Sequence, residues 1–260
     1  MASETHETDD GRGEGGRPSG DDDRLRRIVE RNPSRLGVGR AGPRPRTETL
    51  LEFRADHGIA RDAVFSRVSE DLIEELGLYR VRSLVADTDE YLARPDRGRE
   101  ISGETERELR EGCELEPEVQ IVVCDGLSAT AIEANLPDLL PALLDGLRDR
   151  GISVGTPVFV EYGRVDVMDA VGETLGAEAC VNLIGERPGL ATAESLSAYF
   201  VYGPERGKPT AKKSVISNVH SGGLPAVEAG AAIADLLAEM LEQRASGLDL
   251  GGDDREFQKG

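Results

Sequence analysis

The chain has 260 residues, of which 50 are acidic and 31 basic, a formal net charge of -19 and no tryptophan. This length allows one large domain or two small ones, and the excess of carboxylates argues against a nucleic-acid-binding protein, because phosphates require a basic face. Three cysteines are too few for a disulfide framework and fit a reducing cytoplasm. No apolar run approaches the roughly 20 residues of a membrane span. We therefore expect a cytoplasmic protein with no membrane partner.

The acidic residues also indicate the solvent in which the protein works. They are spread over both ends of the chain and most predicted helices. This distribution is typical of a high-salt cytoplasm, where salt screens the self-repulsion and carboxylates keep the surface hydrated. We therefore predict a halophilic protein, with an ordinary acidic protein as the alternative.

The N-terminal part of the chain predicts helices and few strands. Residues 1–20 have almost nothing to bury and are predicted to be a disordered acidic tail. Helices are predicted from Arg24 to Arg31, from Thr47 to His57, after the caps Asp62 and Ser69, and from Ser102 to Cys113, with one strand from Tyr79 to Val85. Residues 21–112 are therefore predicted to form a mostly helical cap domain.

One glycine-rich segment in this part matches a cofactor motif by spacing alone. Gly37-Val-Gly-Arg-Ala-Gly42 fits G-x-G-x-x-G, but that motif binds dinucleotides only between a strand and a helix. Here a predicted helix precedes it, and Pro43 and Pro45 follow. A basic Gly/Pro loop of this kind is more typical of contact with a partner or a neighbouring domain.

The pattern changes to alternating strands and helices after Pro117. Strands are predicted at Val119–Cys124, Pro157–Glu161, Ala179–Ile184, Ser197–Tyr202 and Ser214–Val219. Helices are predicted at Ala129–Arg150, with interruptions at Pro137 and Pro141, at Val165–Leu175 and at Ala226–Arg244. We predict an α/β protein in which residues 113–250 form a Rossmann-like, doubly wound parallel sheet, followed by a disordered tail at 251–260.

The segment from Val181 to Ser195 marks a candidate binding site. Its apolar run ends at Gly185, and Glu186 and Arg187 follow before a turn at Pro188. In open α/β sheets, ligands bind outside the carboxyl ends of the strands. A surface turn in which Glu186 forms a salt bridge with Arg187 or another arginine is the alternative.

The sequence carries no recognisable catalytic set. Neither His57 nor His220 has the spacing of a zinc site, and Ser128 lacks the G-x-S-x-G context of a nucleophile, so it is interpreted as a helix cap. We therefore predict no metal site and a binding subunit that completes the site of another protein. Two other classes stay open: a nucleotide-binding α/β oxidoreductase domain, which the missing glycine fingerprint disfavours, and a non-catalytic acidic adaptor.

Seven segments resemble the small (light) subunit of ethanolamine ammonia-lyase. They are Gly39-Arg-Ala-Gly-Pro-Arg-Pro-Arg-Thr47, Phe53-Arg-Ala-Asp-His57, Arg94-Pro-Asp-Arg-Gly98, Asp125-Gly-Leu-Ser128, Tyr162-Gly-Arg-Val165, Gly185-Glu-Arg-Pro-Gly-Leu190 and Ile216-Ser-Asn-Val-His-Ser-Gly-Gly223. Their order and spacing match from about Arg35 to Leu250. The resemblance is specific because all seven agree together.

The resemblance implies an adenosylcobalamin enzyme that converts ethanolamine to acetaldehyde and ammonia. The large subunit of that family is a TIM barrel that holds the substrate and the catalytic residues. The small subunit binds the nucleotide tail of cobalamin at the interface, and the enzyme contains several copies of each chain. The resemblance leaves open whether a bacterial microcompartment encloses the complex.

The resemblance also implies particular cofactor contacts. Val165 and Glu186 match the family pattern and are expected at adjacent strand ends of one crevice, whereas Val215 stands where the family has a cysteine. The sequence lacks the D-x-H-x-x-G motif of proteins in which a histidine displaces the benzimidazole, so cobalamin is expected to bind base-on. Val165 and Val215 would contact the aromatic tail, and Glu186 would accept hydrogen bonds from a ribose hydroxyl or an amide side arm.

Overall fold

The computed structural model describes residues 24, 27, 28, 38 and 40–251. The predicted tails lie outside these residues, apart from Gly251, and so does most of the predicted helix at Arg24–Arg31. The described residues fall into two compact units, one ending at Phe53 and the other beginning at Arg54.

The first unit contains the basic Gly/Pro loop. It forms a short antiparallel hairpin of β1 (Arg40–Ala41) and β2 (Arg44–Pro45). The first helix, α1 (Thr47–Phe65), begins where the sequence predicts but ends at Phe65, beyond the predicted end at His57. The predicted cap at Asp62 is therefore wrong, because Asp62 lies inside this helix.

The second unit is built on a six-stranded sheet with the order β3-β5-β4-β6-β7-β8. Its strands are β3 (Tyr79–Arg82), β4 (Val119–Cys124), β5 (Val158–Glu161), β6 (Ala179–Gly185), β7 (Leu196–Tyr202) and β8 (Ser214–Val219). The first four in spatial order are parallel, whereas β7 and β8 are antiparallel to their neighbours. The α/β class is confirmed, and the wholly parallel sheet is wrong.

The direction of the last two strands follows from their connections. No α-helix lies between β6 and β7 or between β7 and β8. A parallel neighbour requires a long crossover, usually a helix, whereas a chain that returns directly forms an antiparallel pair. The short polar segment after Gly185 therefore reverses the chain and places β7 beside β6.

Helices cover both faces of this sheet. They are α2 (Glu70–Glu75), α3 (Thr88–Ala93), α4 (Gly103–Gly112), α5 (Ala129–Asp149), α6 (Val167–Leu175) and α7 (Ala226–Gln243), with 3-10 turns at Arg97–Arg99, Thr210–Lys212 and Gly247–Asp249. One apolar core joins the sheet to α2, α5 and α7, and a second joins the other face to α4 and α6. In the described chain, no helix is both long and apolar enough to cross a membrane.

The structure changes two details of the predicted elements. Pro137 and Pro141 lie inside α5 without ending it. Both prolines are on the exposed side of the helix, where water can satisfy the carbonyls that lose their partners. In addition, β3 comes from the region predicted as a helical cap, yet it is an edge strand of the sheet. The Rossmann-like assignment and the domain boundaries stay predictions.

Candidate functional site

A pocket of about 520 Å³ lies between two walls. The loop wall consists of Gly185, the last residue of β6, and of residues that follow β4, β5 and β6, namely Gly126, Leu127, Arg164, Val165, Glu186 and Arg187. The sheet wall consists of side chains on β7 and β8, namely Ser197, Tyr199, Val215 and Ser217. The structure thus brings Val165, Glu186 and Val215 together in one pocket.

The strands that precede Val165 and Glu186 are not adjacent. Between β5 and β6 lies β4, so the expectation of neighbouring strand ends is wrong. The loop after β4 fills the space between them and contributes Gly126 and Leu127 to the wall.

Glu186 is held by hydroxyl groups. The hydroxyl of Ser195 donates to Glu186 Oε2 over 3.0 Å, and the hydroxyl of Ser197 donates to Oε1. Among the described residues Glu186 forms no ion pair, so the salt bridge that was the alternative for this residue is not formed. A carboxylate offers about four acceptor positions, and two serine donors therefore leave capacity for a ligand.

An asparagine of the sheet holds the backbone of Val165 by a hydrogen bond. Asn182 lies fully buried on β6, and its Nδ2 donates to the carbonyls of Arg164, at 3.3 Å, and Val165, at 3.1 Å. The Val165 side chain is half-buried. The sheet therefore sets the position of this loop while the valine stays partly open to the pocket.

An arginine stacked on a tyrosine secures the same loop from the side. The Arg164 guanidinium lies 3.9 Å from the centroid of the Tyr91 ring, and its Nη2 donates to the Tyr91 carbonyl over 2.8 Å. The Tyr91 hydroxyl in turn donates to the Gly163 carbonyl over 3.2 Å. Cation–π contacts of this kind, together with the hydrogen bonds, attach the loop to α3.

Val215 lies on the edge strand of the sheet and is 51% exposed. Its partner in the antiparallel register is Tyr199, and the two side chains share the face that forms the sheet wall. Burial and the charge of Glu186 raise the pKa of Tyr199 above its ordinary value. The phenol therefore stays protonated and keeps a hydrogen-bond donor beside the pocket.

Asp125 joins the loops after β4 and β5. Its Oδ1 accepts from the backbone N–H of Gly126, at 3.1 Å, and of Tyr162, at 3.0 Å. Burial raises the pKa of this carboxyl to about 7, although the Arg67 guanidinium, 3.8 Å away, acts against the shift. Tyr162 has a φ of 58°, a left-handed conformation that is unusual for a bulky residue and that the bond to Asp125 helps to hold.

The described residues offer no metal cluster and no activated thiol. No group of three or more His, Cys, Asp and Glu side chains in this part of the chain is placed to hold a metal ion. Burial raises the pKa of Cys124 and Cys180 well above the ordinary thiol value, and that of Cys113 to about 11. Because the thiolate is the nucleophile, these cysteines are poor candidates for covalent catalysis.

A comparison with known protein families decides the relationship. Residues 22–251 match the sequence model of one family, described as Ethanolamine ammonia-lyase light chain (EutC). The chain belongs to this family. The resemblance of the seven segments is thereby confirmed.

Individual light-chain relatives agree over most of their length. A protein from Clostridium perfringens, named ethanolamine ammonia-lyase small subunit, is 54% identical over 220 residues, which cover 85% of this chain and 75% of the relative. Small subunits from Clostridium tetani and Fusobacterium nucleatum are 51% identical over 224 residues and 53% identical over 220 residues. These alignments cover 86% and 85% of this chain and 76% and 75% of the relatives.

Several residues of this light-chain pocket are missed by sequence reasoning. Tyr91, Tyr199 and Arg164 line it, and Asn182 supports it from the sheet. Tyr199 has a signal in the sequence, because it alternates with Ser197 along a predicted strand and so shares a face with it. Asn182 stands out as an amide inside an apolar strand, but the sequence does not show that it donates to the carbonyls of Arg164 and Val165.

Proposed function

We propose that this chain is the small subunit of an adenosylcobalamin-dependent ethanolamine ammonia-lyase that converts ethanolamine to acetaldehyde and ammonia. In this proposal it binds the nucleotide tail of cobalamin, base-on, at the interface with the large subunit. The observation that supports the proposal is that Val165, Glu186 and Val215 line one pocket in a member of the light-chain family. The relatives' name, small subunit, supports a larger partner chain.

The pocket suits part of a molecule as large as cobalamin. Its volume of about 520 Å³ is typical of small-ligand sites, and its walls combine apolar and polar groups as the nucleotide tail requires. Val165 and Val215 would contact the benzimidazole, and the free acceptor positions of Glu186 would take a ribose hydroxyl or an amide arm. Arg164 and Arg187 would supply positive charge near the phosphate.

Exposed apolar side chains support the contact with a partner. Val215 is 51% exposed, and Ile59 and Phe65 on α1 are 61% and 51% exposed. Large apolar groups left in water are frequent at protein–protein interfaces. We propose that the large subunit, a TIM barrel present in several copies with this chain, covers the open side of the pocket.

The division of labour follows from the chemistry present on this chain. When bound, adenosylcobalamin supplies the radical that starts the reaction, and the large subunit supplies the substrate site. The described residues of this chain orient the cofactor tail and exclude water from it. We therefore expect no turnover of ethanolamine by this chain alone and turnover when a large subunit and adenosylcobalamin are added, measured as acetaldehyde formed. Turnover by the isolated chain, or a complex that binds no cobalamin, would overturn the proposal.

Glu186→Gln tests the cofactor contact directly. The change keeps the shape of the side chain and removes its charge, so binding of adenosylcobalamin should weaken by about 1 to 3 kcal/mol, seen as a higher Kd in equilibrium dialysis. Turnover at saturating cofactor should change little. Glu194→Gln, an exposed carboxylate in the same loop, is the matched control and should leave the Kd unchanged. An equal Kd for both variants would exclude Glu186 as a contact.

A further inference from the structure

Lys213 is a buried lysine that directly precedes β8. Its side chain is only 1% exposed, and lysine is almost never buried at this level without a partner. The Nζ atom contacts Asp166 and lies 2.6 Å from Asp169 Oδ2. Asp169 is itself buried, and its Oδ1 has no hydrogen-bond partner among the described residues.

The chain positions of these groups connect them to the pocket. Asp166 directly follows Val165, and Lys213 precedes Val215 by two residues. Val165 belongs to the loop after β5, whereas Val215 lies on β8, which pairs only with β7 among the described strands. No sheet hydrogen bond between described strands therefore joins the two valines, and the lysine cluster links their segments directly.

The anchors on either side of this link are firm. Arg99 Nε lies 3.4 Å from the second oxygen of Asp166, and Asn182 holds the Val165 carbonyl at 3.1 Å. On the other side, Ser214 and Val215 are paired with Phe200 and Tyr199 on β7. A lysine that joins two such anchored segments fixes the spacing between them.

Stability is a weak explanation for burying these charges. Taking a lysine and two carboxylates out of water is costly, and apolar residues of similar volume often serve stability equally well. What the ion cluster adds is a directional connection, since each bond requires a particular placement of Nζ.

We propose that Lys213 is a positioning residue of the pocket, which holds the strand of Val215 at a fixed distance from the loop of Val165 and so sets the width available to the aromatic tail of the ligand. The inference rests on the proposed function. It concerns no contact between Lys213 and the ligand, because the lysine side chain is buried and does not line the pocket.

The test compares two neighbouring lysines in the complex with the large subunit. Lys213→Met should raise the Kd for adenosylcobalamin at least tenfold, measured by the absorbance of cobalamin retained in equilibrium dialysis, with turnover at saturating cofactor reduced less than threefold. Lys212→Met is the matched control, because Lys212 is 44% exposed and pairs with Asp249 at the surface. Its Kd should change less than twofold.

Two further variants separate positioning from a general loss of folding. Lys213→Arg should keep most of the affinity for adenosylcobalamin that Lys213→Met loses, because arginine keeps the positive charge and the hydrogen-bond donors. The double variant Lys213→Met with Asp169→Asn removes one unpaired buried carboxylate and should recover thermal stability while its Kd stays high.

The inference is overturned if the double variant regains both stability and affinity, since Lys213 would then act only on folding, or if Lys213→Met binds cobalamin as the unchanged chain does. The proposed function fails separately. In that case the complex with the unchanged chain itself retains no cobalamin, and the inference falls with it.

Discussion

In the loop wall of the pocket, Gly126 and Gly185 bring backbone against backbone, whereas in the sheet wall Tyr199 and Val215 present only side chains. A Cβ atom on Gly126 would lie 2.2 Å from the Gly185 carbonyl oxygen, and one on Gly185 would lie 2.0 Å from the Ser128 carbonyl oxygen. Val215, by contrast, is half-exposed on an edge strand.

This difference separates two kinds of sequence requirement. The glycine positions of the loop wall are fixed by the space between main chains, which cannot move without disturbing β4 and β6. Positions in the sheet wall are fixed by what the side chain contacts in the pocket. Substitutions of these two glycines should therefore damage folding, whereas substitutions of Val215 in the sheet wall should change ligand binding at constant stability.

Gly185→Ala should have the largest effect. The added methyl group meets the carbonyl oxygens of Ser128 and Asp125 at 2.0 Å and 2.7 Å, so the backbone of one loop must shift. We expect a loss of roughly 3 kcal/mol or more in the free energy of unfolding, measured by urea denaturation. Gly58→Ala is the control, because a methyl group added there would have nothing within 4 Å and alanine favours the helix that contains it. If Gly185→Ala lost no more stability than Gly58→Ala, the loops would not be tightly packed.

Asp125→Asn should have an intermediate effect that depends on pH. The pKa of Asp125 is about 7 in the folded protein and 3.8 ordinarily, so the folded state holds this proton more tightly than the unfolded chain. The stability that Asp125 contributes is therefore present below about pH 4 and is lost as the pH rises toward 7.

Asparagine keeps the acceptor for Gly126 and Tyr162 but does not ionise. The stability of Asp125→Asn relative to the unchanged protein should thus increase by about 2 kcal/mol between about pH 5.5 and pH 8, measured by urea denaturation at each pH. Arg67 and Glu161, the charged groups that affect this carboxyl, are present in both proteins. A stability difference that stays constant with pH would contradict the raised pKa.

The sequence predicts local elements better than it predicts strand directions and long-range pairings. The bounds predicted for β4 and the predicted cap Ser128 are confirmed, because continuous apolar runs and capping hydroxyls are local signals. The predicted direction of β7 and β8 is wrong, because it depends on the absence of a helix in a connection. Pairings such as Lys213 with Asp169, 44 residues apart, leave no local pattern.

The candidate site is predicted by a different route. Val165 and Val215 come from the family resemblance, whereas the residues alone already mark the segment from Val181 to Ser195, which contains Glu186, as a candidate binding site. Asp125 is visible as part of a turn, but the structure is needed to connect its carboxylate with Tyr162. Long-range hydrogen bonds of this kind support the predicted contacts without any motif of their own.

Val215→Cys should have the smallest effect, because position 215 in the sheet wall should tolerate another small apolar residue. The side chain is half-exposed, so a smaller apolar residue removes few contacts, and the unfolding free energy should change by less than about 0.5 kcal/mol. The Kd for adenosylcobalamin in the complex should change less than threefold, because the neighbouring Tyr199 and the strand backbone are unaltered. Val215→Glu is the comparison: a carboxylate placed against an aromatic ligand without a partner is costly to desolvate, so its Kd should rise clearly while its stability stays unchanged. If cysteine instead tightens cofactor binding tenfold, the thiol makes a contact that valine lacks. The choice of residue at position 215 would then be as restricted as at the glycines of the loop wall.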